Sequence, residues 1–171
     1  MPEVDDDLDA LVEAIRNDED GYTPPEELIA EPAPLTAKNL AAQIADMAMG
    51  PKIKLALRGN REARTILIRD TSVIIQRFLL ENPRLSDDEV ASIAKSRIMV
   101  AEILGKIAKN REWMGVYSVR HALVHNPRTP LAIALGLVPT LHDRDLRMLA
   151  KSHSVQSAVA AAARRIMMAK P

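Results

Sequence analysis

Two of the four histidines stand four positions apart, a spacing that places two imidazoles on one face of a helix. They are His121 and His125, in the run HALVH. Zinc peptidases use a similar pair in the pattern HExxH, where the glutamate acts as the base. This run contains no glutamate, and Asp143 and Asp145 are the only nearby choices for a third ligand. We therefore predict structural or exposed histidines and no metal site.

Other signatures of catalysis are also missing. The chain has no cysteine, which excludes thiol catalysis, disulfides, zinc thiolates and cysteine-ligated iron–sulfur clusters. It has no glycine-rich phosphate-binding motif and no nucleophile elbow. The acids Asp87, Asp88 and Glu89 follow Ser86 in a predicted first helical turn, where the helix dipole favours them. We expect no catalytic residue, no cofactor and no enzymatic activity, although a triad assembled by folding leaves no sequence signature.

Trp113 and Tyr117 are also four residues apart in a chain with few aromatic residues. Some helical-repeat folds house DNA glycosylases, which hold a damaged base with aromatic rings and an acid. No well-placed acid accompanies this pair in the sequence, and such pairs more often fill a gap between helices. A repeat-fold glycosylase is therefore the weakest alternative.

Five arginines directly follow a small polar residue, or the proline after it. They are Arg61, Arg84, Arg97, Arg111 and Arg128. Positive charge is mildly unfavourable where a helix begins, so helix-ending chemistry does not explain them. Arginine at all five places, with no lysine, indicates bidentate pairing with carboxylates in the chain or on a partner. We predict that these arginines form a basic edge.

Short helices separated by a recurrent corner would position these arginines. Two apolar residues and a polar residue precede each small polar corner residue: Asn60, Asp70, Asn82, Ser96, Asn110, Asn126 and Ser152. Asparagine, aspartate and serine tolerate turns and cap helices. Ser86 with Glu89 fits a capping box, and Thr129 with Pro130 fits a cap followed by a first-turn proline. We expect helices of about two to three turns.

Helices this short bury enough apolar surface only when each is stacked on its neighbours. No segment alternates polar and apolar residues with the period of a strand, so we predict an all-α protein. Residues 35–171 are predicted to form an irregular right-handed α-solenoid of short helices. A plain helical bundle with coincidental corners is the alternative.

The run YSVRHALVHNPRTPLAIALGLVP, followed by LRMLAKSHSVQSAVAAAARR, resembles the leucine-rich variant repeat, a short-helix relative of HEAT-like repeats. The matching residues are Arg120, Ala122, Leu123, Asn126, Pro127, Thr129 and Pro130. The blocks GNREARTILIRD and AKNREW look like those of small bacterial helical-repeat proteins. The resemblance covers roughly residues 50–165 and implies a helical-repeat fold. One member of that family binds an iron–sulfur cluster through cysteines, and that function cannot apply to a chain without cysteine.

The net charge of zero conceals an uneven division along the chain. Residues 1–50 contain two basic residues and thirteen acids, and residues 51–171 contain twenty-one basic residues and ten acids. We predict that residues 1–34 form a mostly disordered acidic tail with a proline-rich linker. A short amphipathic helix at 6–16 is the exception, with Leu8, Leu11, Val12 and Ile15 on one face. This face is either a docking motif or part of a solubilising tail.

These features together favour a protein-interaction adaptor or scaffold. It would use the groove and basic edge of a helical-repeat stack to bind another protein with an acidic segment. The acidic tail would dock on that edge in cis and be displaced by the partner. Nucleic-acid binding is the alternative, although stacking aromatic residues are few and the acidic tail would repel phosphates.

The start of the chain, MPEVDDDLD, lacks the basic and apolar segments of a secretory signal. No window approaches the ~18–20 apolar residues that a membrane-spanning helix needs. We expect a soluble cytoplasmic protein without a membrane span.

Overall fold

In the computed structural model, which describes residues 3–30 and 40–169, all regular secondary structure is helical. The all-α fold predicted from the sequence is confirmed for these residues. The chain divides into two compact units, Met1–Leu85 and Ser86–Pro171, which we call the first and second units. The solenoid arrangement stays a prediction.

The first unit is built around its fourth helix. Its helices are α1 Glu3–Arg16, α2 Glu26–Ile29, α3 Leu40–Asp46, α4 Met49–Arg58, α5 Arg61–Leu67 and α6 Val73–Leu79. Helix α4 packs against α1, α2, α5 and α6. Its residues Ile53, Leu55 and Ala56 are fully buried, so α4 supplies the centre of this core.

The second unit pairs α7 with α10 and α12 with α13. Its helices are α7 Asp87–Lys95, α8 Ala101–Lys109, α9 Arg111–Gly115, α10 Tyr117–His125, α11 Leu131–Leu137, α12 Asp143–Ala150 and α13 Ser157–Ala169, with a short 3-10 helix at Val138–Thr140. The most extensive helix contacts join α10 to α7 and α12 to α13. Leu146, Leu149 and Val159 form part of the core at the second of these contacts.

All seven corner residues predicted from the sequence lie between helices. The capping box at Ser86 is also confirmed. Its hydroxyl accepts a hydrogen bond from the Glu89 N–H, and a Glu89 carboxylate oxygen accepts one from the Ser86 N–H at 3.0 Å. Local capping chemistry therefore sets where these short helices start and stop.

The prediction that Thr129 caps the following helix is wrong. Helix α11 follows Pro130 and has no side-chain cap. The Thr129 hydroxyl is buried and donates a 2.6 Å hydrogen bond to the Leu123 carbonyl near the end of α10. The same carbonyl accepts from the Asn126 N–H at 3.3 Å, so Thr129 adds a second hydrogen bond at the end of α10.

Residues 3–30 contain α1 and α2, which pack against later helices of the first unit. The helix predicted at 6–16 is confirmed as part of α1, where Val12 and Ile15 are 6% and 0% exposed. Leu8 and Leu11 on the same helix are half-buried, and Leu28 of α2 is fully buried. A mostly disordered tail is therefore not confirmed for residues 3–30, and residues 1–2 and 31–34 of the predicted tail lie outside the described residues.

Candidate functional site

A buried amide side chain joins two corners of the second unit. The Nδ2 of Asn126 donates hydrogen bonds to the carbonyls of Ala94 at 2.8 Å and Ser96 at 2.9 Å. Its Oδ1 accepts a 3.0 Å hydrogen bond from the Arg128 N–H. The two carbonyls lie at the end of α7, where helical hydrogen bonding stops. Asn126 thus holds the corner after α7 against the corner after α10.

A second amide adds a third corner to this pair. The Nε2 of Gln156 donates to the carbonyls of Pro127 at 2.9 Å and Thr129 at 2.8 Å. These two carbonyls flank Arg128 on either side. The segment between α12 and α13 is therefore held against the corner after α10.

Exposed basic side chains stand on each of these three joined corners. We call Arg97, Arg128, Lys151 and His153 the basic row; all four are exposed. Within residues 3–30 and 40–169, the side chains of Arg97 and Arg128 make no hydrogen bond or ion pair. Both guanidinium groups are therefore available to a ligand outside the chain.

The direction of the helices explains why the row is basic. Helices α7 and α10 pack together and end at joined corners, so they run in the same direction. The first turns of α10 and α12 are joined by a hydrogen bond between Tyr117 and Asp145, so α12 runs in the same direction as α10. Acids occupy the first turns of α7 and α12, as the helix dipole favours. They therefore lie at the opposite helix ends from the basic row.

Arg111 does not belong to the row. It follows α8, whose nine residues carry the chain about 13 Å away from the start of that helix. The preceding Asn110 also behaves differently from Asn126. Its Oδ1 caps its own helix α9 by accepting from the N–H groups of Glu112 at 2.9 Å and Trp113 at 3.3 Å.

Arg61 and Arg84 are exposed too, but they belong to the first unit. Amides again join corners there: Asn82 donates to the Ala56 carbonyl at 2.9 Å, and Asn60 to the Ala30 carbonyl at 3.0 Å. Arg84 uses Nη1 to bind the Ile29 carbonyl at 3.0 Å. In this unit the joined corners therefore start at the segment around α2. This segment also binds Arg84, one of the predicted edge arginines.

The acidic residues after α1 bind α4 through two cations that the sequence analysis did not single out. Lys54 Nζ lies 2.6 Å from an Asp20 carboxylate oxygen and 3.0 Å from one of Asp18, and it donates to the Tyr22 carbonyl. Arg58 lies 2.6 Å from Asp18. A lysine inside the apolar run IKLALR was the available signal, since an almost fully buried cation needs a partner.

The environment of Lys54 stabilises its charged form. Burial disfavours the ammonium group, but the hydrogen bonds and charges of Asp20 and Asp18 outweigh burial and hold the pKa of Lys54 above its ordinary value. The pKa of Asp18 is lowered, first by its hydrogen bond with Arg58 and then by that with Lys54. The ion cluster therefore fixes the acidic segment to α4 near neutral pH.

A second polar cluster gathers three of the four histidines around Tyr117. The Tyr117 hydroxyl donates to Asp145 and accepts from the His142 N–H at 3.1 Å, and the His142 ring stacks on the tyrosine ring. His121 Nε2 lies 4.0 Å from Asp145, and the His121 and His125 rings stack at 4.1 Å. The shared helix face predicted for these two histidines is confirmed.

The charge states in this cluster follow from burial and from Asp145. Burial, and then the Asp145 hydrogen bond, raise the pKa of Tyr117. The same hydrogen bond lowers the pKa of Asp145 although burial opposes it. Burial and the neighbouring His125 lower the pKa of His121. A neutral tyrosine bound to a carboxylate therefore joins α10 to α12.

The structure brings few of the other chemical candidates together. In the part of the chain that it describes, no group of three or more histidines and acids has the arrangement of a metal site. Trp113 lies on α9 and Tyr117 on α10, so the two aromatic residues do not share a helix. Asp87 and Asp88 occupy the first turn of α7, as predicted.

No described helix is both long and apolar enough to cross a membrane. The chain matches no protein-family model, no curated protein and no solved structure. The resemblance to the leucine-rich variant repeat therefore stays a prediction.

Proposed function

We propose that this protein is a non-enzymatic adaptor that binds an acidic segment of another protein along the basic row. The observation that carries this proposal is the placement of Arg97 and Arg128 on neighbouring corners joined by Asn126. Both side chains are exposed, and neither has a partner within the described ranges. Guanidinium groups on a fixed backbone pair well with carboxylates, because a planar fork matches both oxygens.

The chemistry of the row favours a protein ligand over a nucleic acid. Proteins that bind single strands usually stack bases on aromatic side chains. Tyr117 stands at the far end of α10 from the row and already stacks with His142. The row therefore offers charge and hydrogen bonding without that stacking surface. An extended acidic peptide needs only these two features.

Regulation by the N-terminal segment would have to act through α4. Asp18 and Asp20 bind Lys54 and Arg58, and not the arginines predicted from the sequence to receive them. A partner that competes for Lys54 and Arg58 would release the acidic segment from α4. Such a partner would need carboxylates of its own, which is the chemistry proposed for the ligand of the row.

The direct test compares two double variants of equal charge. R97A/R128A removes the two arginines of the row, and R144A/R165A removes two exposed arginines outside it. Binding of a fluorescent twenty-residue polyglutamate peptide is measured by anisotropy at low and moderate salt. We expect the row variant to bind roughly tenfold more weakly or worse, since each charge-assisted hydrogen bond contributes about 1.5 kcal/mol or more. The control should change by less than about twofold.

Thermal unfolding followed by circular dichroism establishes that both variants are folded. Equal weakening in the two variants would mean that only net charge matters, and it would overturn the proposed site. A single-stranded oligonucleotide of equal charge serves as the competing ligand. If it binds more tightly than the peptide and depends on the same arginines, the row belongs to a nucleic-acid-binding protein.

A further inference from the structure

A cavity of about 480 Å³ opens between the end of α12 and the start of α13. Its polar lining comes from Lys151, Ser152, His153, Ser157 and Arg164, and among the described residues no acid lines it. The cavity adjoins the basic row because Lys151 and His153 belong to both. Its geometry differs from that of the row, since here Lys151 and Arg164 line one partly open cavity.

Two of the lining groups are held in place by the protein. Arg164 donates from Nη1 to the Ala150 carbonyl at 2.7 Å, which orients its guanidinium group and leaves its other N–H groups for a ligand. The hydroxyl of Ser152 lies 3.0 Å from that of Ser154 and accepts a 3.3 Å hydrogen bond from the Ser154 N–H. The wall of the cavity therefore carries oriented donors.

The charge of the lining selects the ligand. Lys151 and Arg164 repel each other, and no acid among the described lining residues balances their charges. A single carboxylate would satisfy one guanidinium group and leave the lysine unpaired. A phosphate dianion has oxygens directed to several sides, so it can accept from guanidinium, ammonium and hydroxyl donors together. The volume also leaves room for the group that carries the phosphate.

We propose that this cavity binds a phosphate monoester dianion. The source of the phosphate is either a small molecule or a phosphorylated side chain of a partner protein, and both would present the same group to the lining. The proposal does not rest on the proposed function of the basic row, since Arg164 lies outside that row. R164Q distinguishes loss of binding in the cavity from loss of binding to the row, because Lys151 belongs to both sites and Arg164 only to the cavity.

The test uses the full chain and isothermal titration with inorganic phosphate, O-phosphoserine, and a phosphoserine peptide with its unphosphorylated form. The variants are R164Q and K151A, and the control is R165Q, the next residue on α13, which does not line the cavity. We expect R164Q and K151A each to weaken phosphate-ester binding at least about tenfold, and R165Q to change it less than about twofold. R97A/R128A should leave binding of O-phosphoserine within about twofold.

Two results would overturn the proposal. One is that the wild-type protein does not bind a phosphate ester at about 10 mM, because a dissociation constant above that concentration is weaker than a specific site gives. The other is equal loss in R164Q, K151A and R165Q. If the phosphopeptide binds about tenfold more tightly than O-phosphoserine and the unphosphorylated peptide does not bind, the source is a partner protein. Equal affinity for the two phosphate esters identifies a small molecule.

Discussion

The side-chain amide of Asn126 binds the carbonyl of Ser96 at 2.9 Å, across thirty residues of sequence. The same amide group binds Ala94, and its oxygen accepts from the Arg128 N–H. One side chain therefore ends α7, shapes the corner after α10 and sets the two corners side by side. The positions of Arg97 and Arg128 depend on this contact.

Replacing Asn126 by alanine should destabilise the second unit. Two carbonyls and one N–H would lose their partners at a site where Asn126 is only 3% exposed. We expect the free energy of unfolding to fall by about 2–4 kcal/mol, measured by urea denaturation. Asn110→Ala is the control, because Asn110 caps only its own helix and should cost about 1 kcal/mol. Equal losses in the two variants would show that joining the corners contributes nothing.

Replacing Lys54 by alanine should release the N-terminal segment. The change leaves Asp20 largely buried without its cation, so we expect a loss of about 3–5 kcal/mol in unfolding free energy. Hydrogen exchange should show faster exchange of amides in α1. Lys52→Ala is the matched control on the same helix. Its ion pair with Asp70 is longer, at 3.6 Å, and more exposed, so it should cost less than about 1 kcal/mol. Unchanged exchange in α1 of K54A would contradict the prediction.

Tyr117→Phe should weaken the contact between α10 and α12 in a pH-dependent way. It removes the donor to Asp145 and the acceptor for the His142 N–H, which we expect to cost about 1–2 kcal/mol at pH 6. The pKa of Asp145 is below its ordinary value of 3.8 in the folded protein. Its contribution is therefore present above that pH and is lost as the pH falls below it.

Urea denaturation at several pH values between 6 and 3 tests this expectation. The stability difference between wild type and Y117F should shrink below about pH 4. Asp145→Asn is the companion variant, and adding Y117F to it should cost less than Y117F costs alone. A stability difference that stays constant down to pH 3 would rule out Asp145 as the partner that matters.

Protonation of His121 should destabilise the second unit. Burial and the charge of His125 lower its pKa below the ordinary value of 6.5, while Asp145 acts in the opposite direction and Lys95 in the same direction. The unfolded chain therefore binds the proton more readily, and stability should fall as the pH drops through 6.5. NMR titration of the His121 ring should give a pKa below 6.5. The variant H121Q should flatten the stability profile between pH 7.5 and 5.5, and an unchanged profile would contradict this prediction.

The contacts of the N-terminal segment with α4 are a feature that composition alone does not predict. Acids and prolines predict an extended tail because such a segment buries little apolar surface by itself. The structure supplies the missing partners from elsewhere: Lys54 and Arg58 neutralise Asp18 and Asp20, and α4 packs against α1. The amphipathic spacing of Val12 and Ile15 predicted the helix correctly, because that spacing is a local property.

By itself, the sequence determined the local chemistry of this protein. Corner residues, the Ser86 capping box and the all-α class were predictable because each depends on residues within one or two helical turns. Only the tertiary structure decided which arginines share a row. Asn110 and Asn126 look alike in sequence, yet Asn110 binds its own helix and Asn126 binds a corner thirty residues away. A side-chain amide has the same donors in both places, and which carbonyls it meets depends on how the helices pack.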